Sequence, residues 1–177
     1  MKKSVLVVSL FMLVALFALP SFAFDVISAR DAYKLAIDPD EDAYILDVRQ
    51  GTEWKWVAHP GPDKLGVGAG LVTEEGEWKV VNIASMIEKK GKMILNPSFL
   101  KDVNEYFEGQ DVTLITMCRS GFRGGRAAAL LDEAGYNVMN MEHGFEGDAD
   151  TAGYRRTVNG WIVDGLPFTY VGAGYKD

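Results

Sequence analysis

Cysteine is almost absent from this chain of 177 residues, in which Cys118 is the single example. One cysteine excludes an intramolecular disulfide and leaves one free thiol as a candidate reactive group. Histidine is nearly as scarce, and His59 and His143 have no neighbours at the spacing of metal ligands. The sequence therefore predicts no metal site and favours hydrogen-bonded structural roles for both histidines.

Positive charge is also in short supply. The chain has 18 lysines and arginines against 25 acidic residues, which gives a formal net charge of −7. An acidic surface argues against nucleic acid or an anionic membrane as a binding partner. The RGG-like segment Gly121–Arg126 occurs once and does not change that prediction. It also lacks the Gly-Lys-Ser/Thr ending of a phosphate-binding P-loop.

Long apolar runs are absent except for Ser4–Leu19 near the N-terminus. Two lysines precede this run and Pro20–Ala23 follows it, a pattern typical of a secretory signal peptide. We therefore expect cleavage after Ala23, which removes residues 1–23 and leaves residues 24–177 as one exported, periplasmic domain without stable membrane insertion. The run is shorter than the roughly 20 residues of a spanning helix, and an uncleaved anchor is the alternative.

A strand, a cysteine, a tight loop and a helix are predicted in succession over residues 112–135. Val112–Met117 is a β-branched apolar run that predicts a buried strand, and Cys118 follows it directly. A short loop rich in glycine and arginine comes next. Apolar residues at helical spacing then predict a helix through Ala127, Leu130, Leu131 and Ala134. Gly135 stands where a helix C-terminus favours glycine.

This order places the thiol of Cys118 at the start of a helix. The first backbone N–H groups of a helix lack internal partners, and the helix dipole is positive at that end. Arg119 and Arg123 add positive charge, so the sequence predicts a nucleophilic Cys118 thiol with a lowered pKa. A buried, inert cysteine at a strand end is the alternative. Two arginines and two glycines nearby favour the reactive thiol.

The rest of the chain alternates between helices and strands. Helices are predicted from Ser28 to Ile37 and from the Asn96-Pro97 cap to Phe107, the second burying Leu100, Val103 and Phe107. Strands are predicted at Ala43–Val48, Val80–Ile83 and Tyr136–Asn140. Residues 50–80 are predicted to be irregular, apart from a candidate hairpin over Leu71–Val81. The segment Trp161–Phe168 is predicted to dock on the core. Such alternation predicts an α/β domain with a mainly parallel sheet and a site at the carboxyl ends of its strands.

Several short segments carry a resemblance to a known family. They are Ile45–Arg49, Glu53-Trp54, His59-Pro60, Asn82-Ile83, Cys118–Arg123, His143–Gly147, Asn159–Trp161 and Gly165–Pro167. Together they resemble the rhodanese-like (sulfurtransferase) domain family over nearly the whole chain after residue 23. The resemblance implies an α/β fold with a five-stranded, mainly parallel sheet flanked by helices on both faces.

The resemblance also implies transfer of sulfane sulfur through a cysteine persulfide, without a cofactor. Cys118 would be the catalytic thiolate that takes sulfur from a donor such as thiosulfate and passes it to cyanide or a thiol. The substrate-binding loop would comprise Arg119, Ser120, Gly121, Phe122, Arg123 and Gly124. Its N–H groups suit an anionic persulfide as an oxyanion hole suits a charged oxygen.

The two arginines of this loop and two charged residues at its border each have more than one possible role. At least one of Arg119 and Arg123 is expected to bind the anionic donor, and the alternative is an ion pair with a structural carboxylate. Asp47 and Arg49 are predicted to support the loop from its border. For these two residues an ion pair that fixes the end of the strand is the favoured role.

Three other functions compete with the sulfurtransferase. Four residues separate Cys118 from Arg123, whereas the cysteine phosphatases of related fold use C-x5-R, so phosphatase activity is a distant alternative. A sulfur carrier would pass sulfur to a partner protein and turn over weakly by itself, and a docking domain would only bind its partner.

Insertions at residues 61–81 and 148–158 either cover the cysteine and select the substrate or elaborate the surface.

Overall fold

A parallel sheet of five strands organises the computed structural model, which describes residues 24–171. The predicted signal peptide lies outside the described residues. In chain order the elements are β1 (Asp25–Ile27), α1 (Ala29–Ile37), β2 (Ala43–Asp47), α2 (Gly51–Val57), β3 (His59–Pro60), β4 (Val80–Asn82), β5 (Met86–Lys89), β6 (Lys92–Leu95), α3 (Phe99–Phe107), β7 (Thr113–Met117), α4 (Phe122–Glu133), β8 (Asn137–Met141) and β9 (Phe168–Thr169). The order β1-β8-β7-β2-β4 confirms the predicted five-stranded parallel sheet.

The two central strands place the cysteine at the carboxyl edge of the sheet. β2 and β7 consist largely of buried residues, as expected for parallel strands covered on both faces. They pair in register, so that Asp47 at the end of β2 lies opposite Met117 at the end of β7. Cys118 is the next residue, which confirms its predicted position.

Helices cover both faces of the sheet, also as predicted. Ile45 shares a buried cluster with α1 and α2. Leu46, the next residue of β2, shares another with α3 and α4, because successive strand side chains point to opposite faces. Cys118 belongs to the cluster on the side of α3 and α4.

Two helix ends follow the predicted capping. The Ser28 hydroxyl accepts a hydrogen bond from the Asp31 N–H at 3.1 Å, which satisfies one of the free donors at the start of α1. Beyond the end of α4, Gly135 has a φ of 89°, a left-handed conformation that costs glycine little.

The helix after Asn96 differs from the prediction in its start and its buried face. It begins at Phe99, and the Asn96 side chain accepts from the N–H of Ser98 instead of capping the helix directly. Leu100 was expected to be buried but is 39% exposed, whereas Phe99 is 2% exposed. Phe99, Val103 and Phe107 follow one another at intervals of four residues and therefore share the buried face of α3. Leu100 lies outside this set and is exposed.

The prediction that residues 50–80 are irregular is wrong at their start. Gly51–Val57 forms α2, whose seven residues are too few to give a clear apolar period. The candidate hairpin is confirmed in part, because Val72 and Trp78 form an antiparallel bridge around a turn with Gly76 at a φ of 87°. A second hairpin, β5 with β6, was not predicted.

The terminal segment docks on the core, as predicted. The buried indole of Trp161 donates to the carbonyl of Pro167 at 2.9 Å, and β9 pairs with β3 in a small antiparallel sheet. Within residues 24–171, no helix combines the length and the apolar character needed to cross a membrane.

Candidate active site

Cys118 lies between the end of β7 and the start of α4, and only 1% of its surface is exposed. The backbone N–H groups from Arg119 to Gly124 donate to no acceptor within residues 24–171. Gly121 takes a φ of 88° at the N-cap position and turns the chain into the helix. The arrangement joins a buried thiol to a row of unpaired donors at the positive end of a helix dipole.

A segment from His143 to Gly147 fixes this loop from outside. The N–H of Phe145 donates to the carbonyl of Cys118 at 2.8 Å, and the N–H of Glu146 donates to the carbonyl of Arg119 at 2.9 Å. Gly144 takes a φ of 58°, and a Cβ there would overlap the carbonyl oxygen of Cys118. Main-chain hydrogen bonds therefore hold the carbonyls of Cys118 and Arg119. This role of residues 143–147 was not predicted from the sequence, although the glycines of the segment pointed to it.

The far side of the loop rests on a polar contact beneath α4. The Thr116 hydroxyl lies 3.1 Å from the carbonyl of Gly124 and 3.2 Å from Oδ1 of Asn140. A Cβ on Gly124 would collide with that same Oδ1. Glycine at position 124, in the first turn of α4, thus leaves room for the Asn140 side chain of β8.

The second arginine of the loop forms an ion pair with a carboxylate from α2. Two nitrogens of Arg123 donate to the two oxygens of Glu53 at 2.6 Å each. Burial would raise the pKa of Glu53, but the hydrogen bonds and charge of Arg123 outweigh it and lower that pKa below its usual value. The hydrogen bond from Arg123 to Glu53 likewise raises the pKa of Arg123.

Because of this ion pair, the two arginines of the loop have different partners. Arg123 takes the alternative role, pairing with a structural carboxylate. The exposed side chain of Arg119 makes no hydrogen bond or ion pair within the described part of the chain. From the sequence, Glu53 is recognised only as part of the family segment Glu53-Trp54. Its spacing from Gln50, typical of a capping box, was the signal that could have placed it at the start of a helix.

Asp47 and Arg49 form a fully buried ion pair at the end of β2. Nη2 of Arg49 lies 2.6 Å from Oδ2 of Asp47 and donates to the carbonyl of Ala58 at 2.7 Å. The guanidinium also lies over the ring of Phe145, 4.5 Å from its centroid. Because Phe145 donates to Cys118, the pair supports the segment that holds the cysteine loop, in keeping with its predicted supporting position.

The two histidines occupy different surroundings. His59 is buried, stacks on Trp54 with ring centroids 3.5 Å apart, and donates from Nδ1 to the carbonyl of Pro60 at 2.9 Å. Burial lowers the pKa of His59 to about 4. His143 is partly exposed and lies 3.0 Å from Asp148. No group of three or more potential metal ligands comes together within residues 24–171.

The two insertions lie at different distances from the loop. In residues 148–158, Arg155 donates to the carbonyl of Gly147 at 2.6 Å, which ties this insertion to the segment that fixes the cysteine loop. In residues 61–81, Leu71 is buried in the cluster of α1 and α2, on the other face from Cys118.

Two surface concavities of about 560 and 500 Å³ both lie away from the thiol. The first is lined by residues of α3 and by the segments that lead into β7 and β8, at the amino edge of the sheet. The second lies beside β9, between residues 63–67 and 165–171. Neither of these two concavities is lined by Cys118 or by the loop that follows it.

Comparison with known proteins gives concordant matches. A family model described as the rhodanese-like domain matches residues 28–150, a span that includes Cys118. The uncharacterized protein RP600 of Rickettsia prowazekii is 29% identical over 136 residues, which are 76% of this chain and 94% of the relative.

Solved structures agree with that match. The crystal structure of Rv0390 from M. tuberculosis has a TM-score of 0.65 at 28% identity and covers 83% of this chain and 98% of its own. The polysulfide-sulfur transferase homodimer of Wolinella succinogenes has a TM-score of 0.51 at 18% identity, covering 82% and 78%. At that identity the likeness concerns the fold alone.

Proposed function

Because this chain belongs to the rhodanese-like domain family, we propose that it is a sulfurtransferase that carries sulfane sulfur on Cys118 as a persulfide. One observation supports this most directly. Cys118 is followed directly by six consecutive backbone N–H groups, Arg119 to Gly124, that have no acceptor within residues 24–171. Such a row of donors suits a terminal sulfur that bears negative charge.

The proposed reaction has two steps and uses no cofactor. The Cys118 thiolate attacks the outer sulfur of a donor such as thiosulfate, a sulfur–sulfur bond forms, and sulfite leaves with the electron pair of the broken bond. An acceptor then attacks the outer sulfur of the persulfide and releases the thiolate. Cyanide gives thiocyanate in this step, and a thiol on a small molecule or a partner protein gives a new persulfide.

The mass of the intact protein tests this proposal. Incubation of residues 24–177 with thiosulfate is expected to add one sulfur atom, and cyanide is expected to remove it with release of thiocyanate. The Cys118→Ser variant removes the nucleophile and is expected to gain no sulfur under the same conditions. If thiosulfate and other sulfane donors all leave Cys118 unmodified, the proposal is wrong.

A sulfur carrier with weak turnover is the second candidate, and the burial of the thiol favours it. Cys118 is 1% exposed, and Arg123 is already paired with Glu53, so a free small donor gains less from this site than from an open one. A carrier would load sulfur stoichiometrically but release little thiocyanate per minute. Rapid, repeated turnover with cyanide would exclude this candidate.

We further propose that the protein acts in the periplasm after export through residues 1–23. The supporting pattern is the basic start, the apolar run and the small residues up to Ala23. N-terminal sequencing of the protein from a periplasmic fraction is expected to begin at Phe24. Recovery in the membrane fraction with Met1 retained would support the uncleaved anchor instead.

A further inference from the structure

The ion pair between Arg123 and Glu53 leaves the loop with less net positive charge than its sequence implies. The pair is bidentate, and its side chains are only 17% and 22% exposed, so solvent screens it weakly. A guanidinium bound on two nitrogens by a carboxylate presents almost no net charge to an approaching anion. Arg119 is the arginine of the loop that remains unpaired among the described residues.

Glu53 is held in place independently of Arg123. It lies in the first turn of α2, where the helix dipole favours a carboxylate, and its Oε2 accepts the N–H of Gln50 at 3.2 Å. Moving this carboxylate away from the loop would break the cap of α2 as well as the ion pair. An anionic donor therefore meets Arg123 with the negative charge of Glu53 still beside it.

We propose that Glu53 sets the charge selectivity of the site, so that sulfur donors with one negative charge or none are preferred over the dianion thiosulfate. This inference rests on the proposed sulfurtransferase function and specifies its donor class. Organic thiosulfonates and thiol persulfides belong to the preferred class. Glu53 acts through Arg123 and the local field, without touching the transferred sulfur.

A pair of donors isolates charge from chemistry. Thiosulfate and methanethiosulfonate both offer an outer sulfur bonded to a sulfonyl sulfur, but the first carries two negative charges and the second carries one. With either donor the Cys118 thiolate forms the same new sulfur–sulfur bond. The departing group, sulfite or methanesulfinate, takes the electron pair of the bond that breaks.

The test compares kcat/KM for the two donors in the wild-type protein and in Glu53→Gln. Glutamine keeps an acceptor for the N–H of Gln50 but removes the charge, so we expect the ratio of thiosulfate to methanethiosulfonate to rise about tenfold. Glu53→Asp keeps the charge and is expected to leave the ratio near the wild-type value even if it lowers stability. Arg119→Gln removes the unpaired cation and is expected to lower the ratio.

Glu133→Gln serves as the matched control for net charge. Glu133 is exposed at the far end of α4, about 16 Å along the helix from Phe122 at 1.5 Å per residue. This variant should leave the ratio unchanged. A ratio in Glu53→Gln within about twofold of wild type, or an equal change in Glu53→Asp, would overturn the inference. Failure of both donors to load Cys118 would instead refute the proposed function itself.

Discussion

Replacing Arg49 by methionine tests how the buried ion pair supports the cysteine loop. Arg49 and Asp47 are both fully buried, and the guanidinium donates to the carboxylate through Nε and Nη2. Methionine has a comparable volume but no charge, so the Asp47 carboxylate would remain buried with only the backbone N–H of position 49 as a close donor. Breaking a buried pair by removing one partner typically costs about 3–5 kcal/mol.

The structure adds smaller terms to this cost. The carbonyl of Ala58 loses its donor from Arg49, and an unsatisfied buried acceptor costs about 1–3 kcal/mol. The stacking of the guanidinium on Phe145 is also lost. We expect the free energy of unfolding to fall by at least about 4 kcal/mol, and the melting temperature to fall by at least roughly 10 °C for a domain of this size.

Urea unfolding followed by tryptophan fluorescence is a suitable assay, because Trp54 and Trp161 are buried in the core. The double variant Asp47→Leu with Arg49→Met removes both charges and should cost far less than the two single changes added together. A loss below about 1 kcal/mol in Arg49→Met, or additive losses in the double variant, would refute the reasoning.

Three further predictions concern other parts of the fold. Gly144→Ala places a Cβ against the carbonyl of Cys118. Persulfide loading, measured by the mass of the intact protein, should fall at least about tenfold, and stability, measured by thermal melting, should fall by about 2 kcal/mol or more. His59 binds a proton less readily in the folded chain, with its pKa lowered from 6.5 to about 4, so stability should fall by about 2 kcal/mol between pH 7 and pH 5. The unfolded chain takes up the proton in that range, and His59→Gln should flatten the dependence. Phe99→Ala should cost about 3–5 kcal/mol in urea unfolding but Leu100→Ala less than about 1 kcal/mol, and equal costs would contradict the observed face of α3.

Local signals explain what the sequence revealed about the fold. The apolar run before Cys118, the apolar period of α4 and Gly135 at its end all lie within one short stretch, and each was confirmed. β1 was missed because its three residues are partly exposed and gain their conformation from pairing with β8, far along the chain. Such a strand has no periodic signal of its own.

The candidate site divides in the same way. The position of Cys118 followed from the order of strand, loop and helix. The partner of Arg123 did not, because Glu53 comes from α2, which is remote in sequence and was predicted to be irregular. The bonds from Phe145 to the loop are also long-range, and they involve main-chain atoms that leave no pattern in side-chain chemistry.

The pairing of β1 with β8 also has a consequence for folding kinetics. β1 is the first strand of the described chain, yet its partner β8 is the last strand of the sheet to be synthesised, so this edge cannot form until most of the domain is available. Contacts of such long sequence separation slow folding, because the entropy of closing the loop between them is lost before they contribute stability. The segment that holds the cysteine loop begins just after β8. The carbonyls of Cys118 and Arg119 should therefore acquire their donors late in folding, together with closure of the sheet.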